Sequence, residues 1–129
     1  MSGLLIDTHV LIWMLYSPER LSEQTKTVMS NSGEVFVSMA SLWEIAIKHS
    51  LGKLKYDPKI IIDKLEASGL ELLDIKSEHV KNYKRVKLPQ GDPFDIMIMS
   101  QALAGEFSVV TADRLILEAY PKKTFDART

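Results

Sequence analysis

An α/β fold, with helices on both faces of a central, mostly parallel sheet, is what the sequence predicts, and three observations predict it. Short apolar runs, Leu4-Leu5-Ile6, Val35-Phe36-Val37-Ser38 and Phe107-Ser108-Val109-Val110-Thr111, have the character of strands buried on both faces. Each is followed by a segment of helical pattern, and strands that alternate with helices pair in parallel through crossovers. The 129 residues suffice for one core and one domain, spanning 1–129, and hold no internal repeat, low-complexity tract or long linker.

Composition narrows the class. Hydrophobic residues make up 46% and charged ones 26%, the balance of an ordinary water-soluble domain. A net charge of -1 argues against avid nonspecific binding to nucleic acid, which needs many Lys and Arg contacts to phosphates. It leaves room for a nucleic-acid enzyme whose positive charge is supplied locally by a metal. There is no cysteine, so neither disulfides nor thiolate metal sites are possible, and the expected compartment is the reducing cytoplasm. The opening Met-Ser-Gly-Leu-Leu-Ile-Asp lacks the basic region of a signal peptide, and no apolar stretch reaches the roughly 18 residues of a membrane span, so no membrane partner is expected.

Taken in order, Leu4 to Ile6 forms a strand that runs at Asp7-Thr8-His9 into a helix through Leu15. Asp7 stands at the carboxyl end of that strand, where open α/β sheets bind ligands, and it is equally suited to cap the helix that follows. His9 reads as a packing or hydrogen-bonding histidine, since no second histidine stands at a metal-binding spacing. Ser17-Pro18 breaks the helix, and Ser22 to Met29 forms a polar one ending before Gly33. Val35 to Ser38 is the second strand. Ser41 and Glu44 in the next helix have the spacing of a capping box; if that helix starts at Ser38 instead, Glu44 lies too far inside to cap anything. Trp43 and Ile47 point away from Leu42, Ile45 and Ala46, an apolar excess suited to a partner surface.

Asp57-Pro58 starts a helix over 59–67 that Gly69 ends, and Ile60, Ile61, Ile62 and Leu65 on it exceed what one face can bury. These two helices are expected to form a groove for a protein segment. Leu70 to Ile75 is a strand near the sheet edge, and Ser77 to Val86 a mixed-charge helix. Lys81, Lys84, Arg85 and Lys87 form the one basic cluster, either a solvated face or the approach of a polyanion. Asp92-Pro93-Phe94-Asp95 then opens an almost wholly apolar helix, with Asp92 as N-cap, Pro93 at the first helical position and Asp95 in the first turn. After the strand 107–111, Asp113 repeats the position of Asp7, ahead of the helix 114–120. A short last strand is expected around Phe125, followed by a frayed end.

Parallel strands gather their carboxyl ends on one edge, so Asp7, Glu44, Asp95 and Asp113 can meet there. Carboxylates held close raise one another's pKa, and a divalent cation removes that cost. Oxygen-only ligands, without Cys or paired His, suit Mg²⁺ or Mn²⁺. Such a site is suited to phosphodiester hydrolysis. Asp7, Asp95 and Asp113 are the expected metal ligands, and Glu44 contacts the metal or orients water. Thr8 and Thr111 are expected to support the ligands through their hydroxyls, and Asp92 to cap the helix with an outer contribution to the site.

The order Leu-Leu-Ile-Asp-Thr-His, Ser-Leu-Trp-Glu-Ile-Ala-Ile-Lys, Asp-Pro-Phe-Asp and Val-Val-Thr-Ala-Asp resembles the PIN-domain proteins, most of all the VapC-type toxins of toxin–antitoxin pairs. The resemblance runs from about Leu4 to about Tyr120 and implies a three-layer α/β/α PIN-like fold, with Asp7, Glu44, Asp95 and Asp113 matching the family's acidic quartet. It implies a Mg²⁺- or Mn²⁺-dependent endoribonuclease acting on RNA, commonly a homodimer, held inactive by a cognate antitoxin. Many relatives carry His-Arg before Asp-Pro-Phe-Asp and an Arg after it, where this chain has Gln90-Gly91 and Ile96. Those departures favour an alternative, a non-catalytic PIN-like module that binds RNA or protein. A phosphoacceptor receiver domain ranks below both, because the first strand ends in one aspartate and no lysine follows Thr111 at the sheet edge.

Overall fold

The structure is a computed structural model that describes residues 3–89 and 91–129, so Met1, Ser2 and Gln90 lie outside the described residues. Its centre is a sheet of β1 (Leu4–Ile6), β2 (Val35–Ser38), β3 (Glu71–Leu73), β4 (Ser108–Thr111) and β5 (Thr124–Asp126). The strand order is β3-β2-β1-β4-β5 and every pairing is parallel, a stricter arrangement than the mostly parallel sheet expected. Helices α1 (Thr8–Tyr16) and α2 (Glu23–Asn31) connect β1 to β2, and α3 (Met39–Ser50) and α4 (Pro58–Ser68) connect β2 to β3. Helices α5 (Ser77–Lys81) and α6 (Pro93–Gly105) connect β3 to β4, and α7 (Arg114–Ala119) precedes β5.

Side chains of a strand alternate between faces, and here the alternation builds two cores. Leu4, Ile6, Val37 and Val110 face one layer with Val10, Leu11, Ile45, Ile61 and Leu65. Leu5, Phe36 and Val109 face the other with Ile98, Met99, Ala102 and Ile116. Leu5 and Ile6 are wholly buried, each on its own side, which explains why the strand reads as an unbroken apolar run. The result is a three-layer α/β/α domain. Helix α3 packs on α1 and α4 in one layer and also on α6 in the other, so it ties the two cores together.

The strand order has one topological switch. The chain steps outward through β1, β2 and β3, then returns to place β4 on the free side of β1. The crevice at the carboxyl ends of β1 and β4 is where this topology opens a ligand site. Asp7 follows β1 and Thr111 ends β4, so both stand at that crevice, and the Asp7 N–H donates to the Val110 carbonyl at 3.1 Å.

Local structure departs from expectation in three places. The segment predicted as one helix from Ser77 to Val86 is α5 followed by a separate 3-10 turn, Tyr83–Arg85. Its apolar positions are too few to hold a longer helix on the sheet. The C-terminus is tied down and not frayed: Ala127 is fully buried, the Ser22 hydroxyl donates to the Thr129 carbonyl at 2.8 Å, and Arg128 donates to the Ala112 carbonyl at 2.9 Å. Finally, α3 starts at Met39 with Ser38 as N-cap, its hydroxyl accepting from the Ala40 N–H at 2.9 Å. The capping box of Ser41 and Glu44 therefore does not form. Among the described residues no helix is long and apolar enough to cross a membrane.

Candidate active site

Three of the acidic residues singled out from sequence are helix caps as well. Asp7 caps α1 by accepting from the Val10 N–H at 3.0 Å, Asp92 caps α6 by accepting from Phe94 and Asp95, and Asp113 caps α7 by accepting from Leu115 and Ile116. Capping does not use up these groups, because each bond occupies one carboxylate oxygen and leaves further lone pairs. The other oxygen of Asp7 accepts from the Thr111 hydroxyl at 2.5 Å, which joins the ends of β1 and β4 across the switch point. Thr111 in turn accepts from the Asp113 N–H at 3.0 Å, so one hydroxyl orders two of the acidic residues.

Glu44 is buried, 4% exposed, which is unusual for a carboxylate unless it is paired. Its partners are the Thr8 hydroxyl at 2.7 Å and the Lys48 ammonium at 2.6 Å. The Ser41 hydroxyl lies 2.9 Å from the Thr8 oxygen and can donate to it, so Ser41 is engaged with Thr8. The hydrogen bond to Glu44 holds the Lys48 pKa above its ordinary value, against the effect of burial and with smaller help from the charges of Glu44, Asp92 and Asp95. Lys48 is a residue that sequence reasoning did not assign to the site; its position one helical turn after Glu44 was the available signal.

Asp95 is different. Among the described residues no donor reaches its carboxylate, although it lies half-buried at the start of α6. Burial raises its pKa first, and the charges of Asp7, Asp92, Glu44 and Asp113 raise it further, to about 7. Burial likewise pushes the Asp7 carboxyl up, with a smaller push from Asp113. The predicted quartet therefore shares one electrostatic neighbourhood, and Asp92 belongs to it. Among the described residues, however, no three His, Asp or Glu side chains stand close enough together to hold a metal ion. Asp7, Asp92 and Asp113 each turn an oxygen toward backbone amides, and Glu44 turns one toward Lys48.

His9, expected as a packing or hydrogen-bonding histidine, stands beside the Trp13 ring. It is exposed at the first turn of α1, its ring 6.4 Å from that of Trp13, and it lines the hollow that also holds Asp7, Asp113 and Arg128. Gly91 has a steric reason. A Cβ built there would lie 2.8 Å from the Leu88 Cβ and 2.9 Å from the Leu88 carbonyl oxygen, because the Gly91 N–H bonds that carbonyl. The tight turn before α6 thus excludes any side chain at 91, and Gln90 beside it is outside the described residues. Gly91→Ala is expected to destabilise by roughly 1–3 kcal/mol, the usual cost of overpacking. A urea melt within about 0.5 kcal/mol of wild type would show that the turn relaxes freely.

Comparisons with known proteins agree with this architecture. The family model described as "PIN domain" matches residues 4–122. The chain is 27% identical over 125 residues to Ribonuclease VapC22 of Mycobacterium tuberculosis, covering 88% of this chain and 89% of that protein. Among solved structures it is similar to VapBC2 from Rickettsia felis bound to a DNA fragment from their promoter, with a TM-score of 0.68, 20% identity, and coverage of 95% of this chain and 98% of that one. It is also similar to DNA-bound VapBC from Salmonella typhimurium, with a TM-score of 0.65, 21% identity, and coverage of 95% and 93%.

Proposed function

This chain belongs to the PIN-domain family, and from that premise we propose that it is a Mg²⁺- or Mn²⁺-dependent endoribonuclease, the VapC-type toxin of a toxin–antitoxin pair. The observation that carries the reading is the press of four carboxylates, from four separate elements, on an Asp95 whose carboxylate meets no donor among the described residues. An all-oxygen set with surplus negative charge fits a hard divalent cation, which would supply Lewis-acid polarisation of a phosphodiester and cancel the carboxylate repulsion. Asp7, Asp95 and Asp113 are the residues that would hold it.

The chain's own groups then divide the work. The Thr111 hydroxyl locks one oxygen of Asp7 and the amide of Asp113 in place, so the two strand ends present their carboxylates in a fixed relation. Burial and the neighbouring carboxylates hold the Asp95 pKa at about 7, a cost of ionisation that a bound cation would remove. Glu44, held by Thr8 and Lys48, is buried and rigid, suited to orient an attacking water. Lys48, 2.6 Å from the Glu44 carboxylate, supplies the opposite charge that a buried carboxylate needs.

An antitoxin partner suits the exposed apolar surface on α3 and α4. Trp43 is 59% exposed and meets Phe94 edge-on at 5.4 Å, and Leu51, Ile60 and Ile62 are also exposed, while Ile61 and Leu65 fill the core. A homodimer and a cytoplasmic location accompany this reading. The test is cleavage of structured RNAs by the purified chain. Cleavage with Mg²⁺ or Mn²⁺ that stops on chelation and is missing in Asp7→Asn supports the nuclease; an equal background in all conditions points to the non-catalytic binding module.

A further inference from the structure

The last strand of the sheet ends at the acidic edge. Strand β5 pairs in parallel with β4, setting Asp126 beside Thr111, and β4 pairs with β1, setting Val110 beside Ile6. Asp7 directly follows β1, Asp113 comes just after β4 and Arg128 just after β5, so three neighbouring strands deliver two carboxylates and a guanidinium to one edge. The pairing carries on past the strands, because the Ala127 N–H donates to the Thr111 carbonyl at 2.8 Å. Asp7, Asp113 and Arg128 line a single open hollow of about 250 Å³.

Arg128 is fixed in place without being used up. Its arm is anchored by the buried Ala127, whose carbonyl accepts from the Ser22 N–H and the Thr25 hydroxyl, each at 3.0 Å. The Arg128 N–H donates to Asp126 at 2.9 Å, and its Nη2 donates to the Ala112 carbonyl at 2.9 Å, which lays the guanidinium against the Ala112–Asp113 peptide. A guanidinium carries five N–H donors in a planar fork, and the Ala112 carbonyl takes one of them. The one ion pair of Arg128 among the described residues is a long contact to Asp126, 3.9 Å, in its own arm. Asp7 and Asp113 meanwhile take their bonds from amides and from Thr111. Half-exposed, and paired with neither carboxylate among the described residues, Arg128 is not their counter-ion.

We propose that Arg128 contacts the substrate, its guanidinium gripping the RNA phosphate next to the one that is cut. The assignment rests on the nuclease reading and adds to it a cation of the chain's own. A guanidinium is planar, always charged and forked, and it matches the non-bridging oxygens of a phosphate bidentately. An RNA backbone that enters the hollow is repelled by Asp7 and Asp113, and a cation at their flank offsets that repulsion. Strand order sets the place. Along the edge Glu44 comes from the helix after β2, Asp7 follows β1, Asp113 follows β4, and Arg128 follows the outermost strand, β5. The phosphate it holds therefore lies beside the acidic centre and not within it. Such a phosphate keeps its charge throughout hydrolysis and is bound alike before and during the reaction, so Arg128 governs affinity and not the chemical step.

Two variants test the grip. Arg128→Gln keeps a donor for the Ala112 carbonyl and removes the charge, whereas Arg128→Lys keeps the charge and loses the fork. In cleavage of structured RNA, Arg128→Gln is expected to raise KM about tenfold with kcat within about twofold of wild type, and Arg128→Lys to fall between them. Binding of a fluorescein-labelled RNA hairpin with unpaired flanks, followed by anisotropy in EDTA, reads the same contact without a metal. There Arg128→Gln weakens binding about tenfold and flattens the salt dependence by about one unit of slope, while Arg128→Lys keeps the wild-type slope. Arg85→Gln, in the separate basic cluster, keeps both affinity and slope, and all three variants melt within about 3 °C of wild type. The inference is overturned if Arg128→Gln keeps the wild-type slope, if Arg85→Gln loses as much affinity, or if Arg128→Gln lowers the melting temperature alone, the mark of a residue that merely pins its arm. Normal RNA cleavage alongside any of those outcomes leaves the nuclease reading standing; Arg128-dependent binding in a protein that never cleaves removes that reading and leaves the grip.

Discussion

Asp95→Asn abolishes divalent-dependent RNA cleavage and, in the same protein, raises metal-free stability above neutral pH. Loss of activity by at least about a hundredfold is expected, since replacing even the outer partners of a metal site costs 10–100-fold. The stability gain follows from linkage. Asp95 has a pKa of about 7 in the folded chain against 3.8 when unperturbed, so between those values the folded state holds the extra proton. Stability therefore falls as pH rises through that window and stays low above it. Full conversion of that difference would be about 4 kcal/mol, but a half-exposed group is screened by solvent, and about 1–2 kcal/mol is the expected penalty. Asparagine has no charge to lose, so the variant should melt roughly 3–8 °C higher than wild type at about pH 8 in EDTA and converge with it near pH 4. Saturating Mg²⁺ should reverse the order, because a cation that binds only the folded wild type stabilises it in proportion to the logarithm of its concentration. Equal melting temperatures at both pH values would show that Asp95 carries no unfavourable charge.

Gln101→Ala has the largest expected effect on folding itself. Gln101 is fully buried in α6, accepts from the Ser38 hydroxyl at 2.5 Å and donates to the Asp74 carbonyl at 3.2 Å. It thus joins α6, which carries Asp95, to the carboxyl end of β2 and to the segment after β3. Because Ser38 caps α3, the same contact orders the helix that carries Glu44. Truncation leaves a cavity, an unpaired hydroxyl and an unpaired carbonyl, a loss of roughly 3–4 kcal/mol. Gln101→Met, which fills the space without the hydrogen bonds, should lose about half as much. Urea denaturation resolves the two, and a double-mutant cycle with Ser38→Ala should be strongly non-additive because the residues share one bond. A Gln101→Ala variant within about 0.5 kcal/mol of wild type would mean that water replaces the side chain.

The two predictions differ in how visible their residues were. Asp95 stood out because a carboxylate in the first turn after Asp-Pro, ahead of an apolar helix, is legible in the chain itself. Gln101 did not, because a single amide in that apolar run has no periodic signature; what buries it is a hydroxyl 63 positions away. Arg20 and Tyr56 escaped for the same reason. Their partners, Trp13 and Tyr16, are brought to them by the packing of α1 and the loop after α3, whereas Lys48 had a local signal, its place one helical turn after Glu44.

What the sequence determined by itself is the alternation of buried strands with helices, and with it the parallel sheet, its three layers and the edge on which the strand ends collect. Local patterning suffices for that, because apolar runs, caps and Asp-Pro starts act within a few residues. The register of strand ends at the β1–β4 crevice, the bond from Thr111 to Asp7 across it and the bond from Thr8 to Glu44 were decided only by tertiary structure. Those features are set by contacts between residues remote in sequence, where burial and charge act through space and leave no periodic mark along the chain.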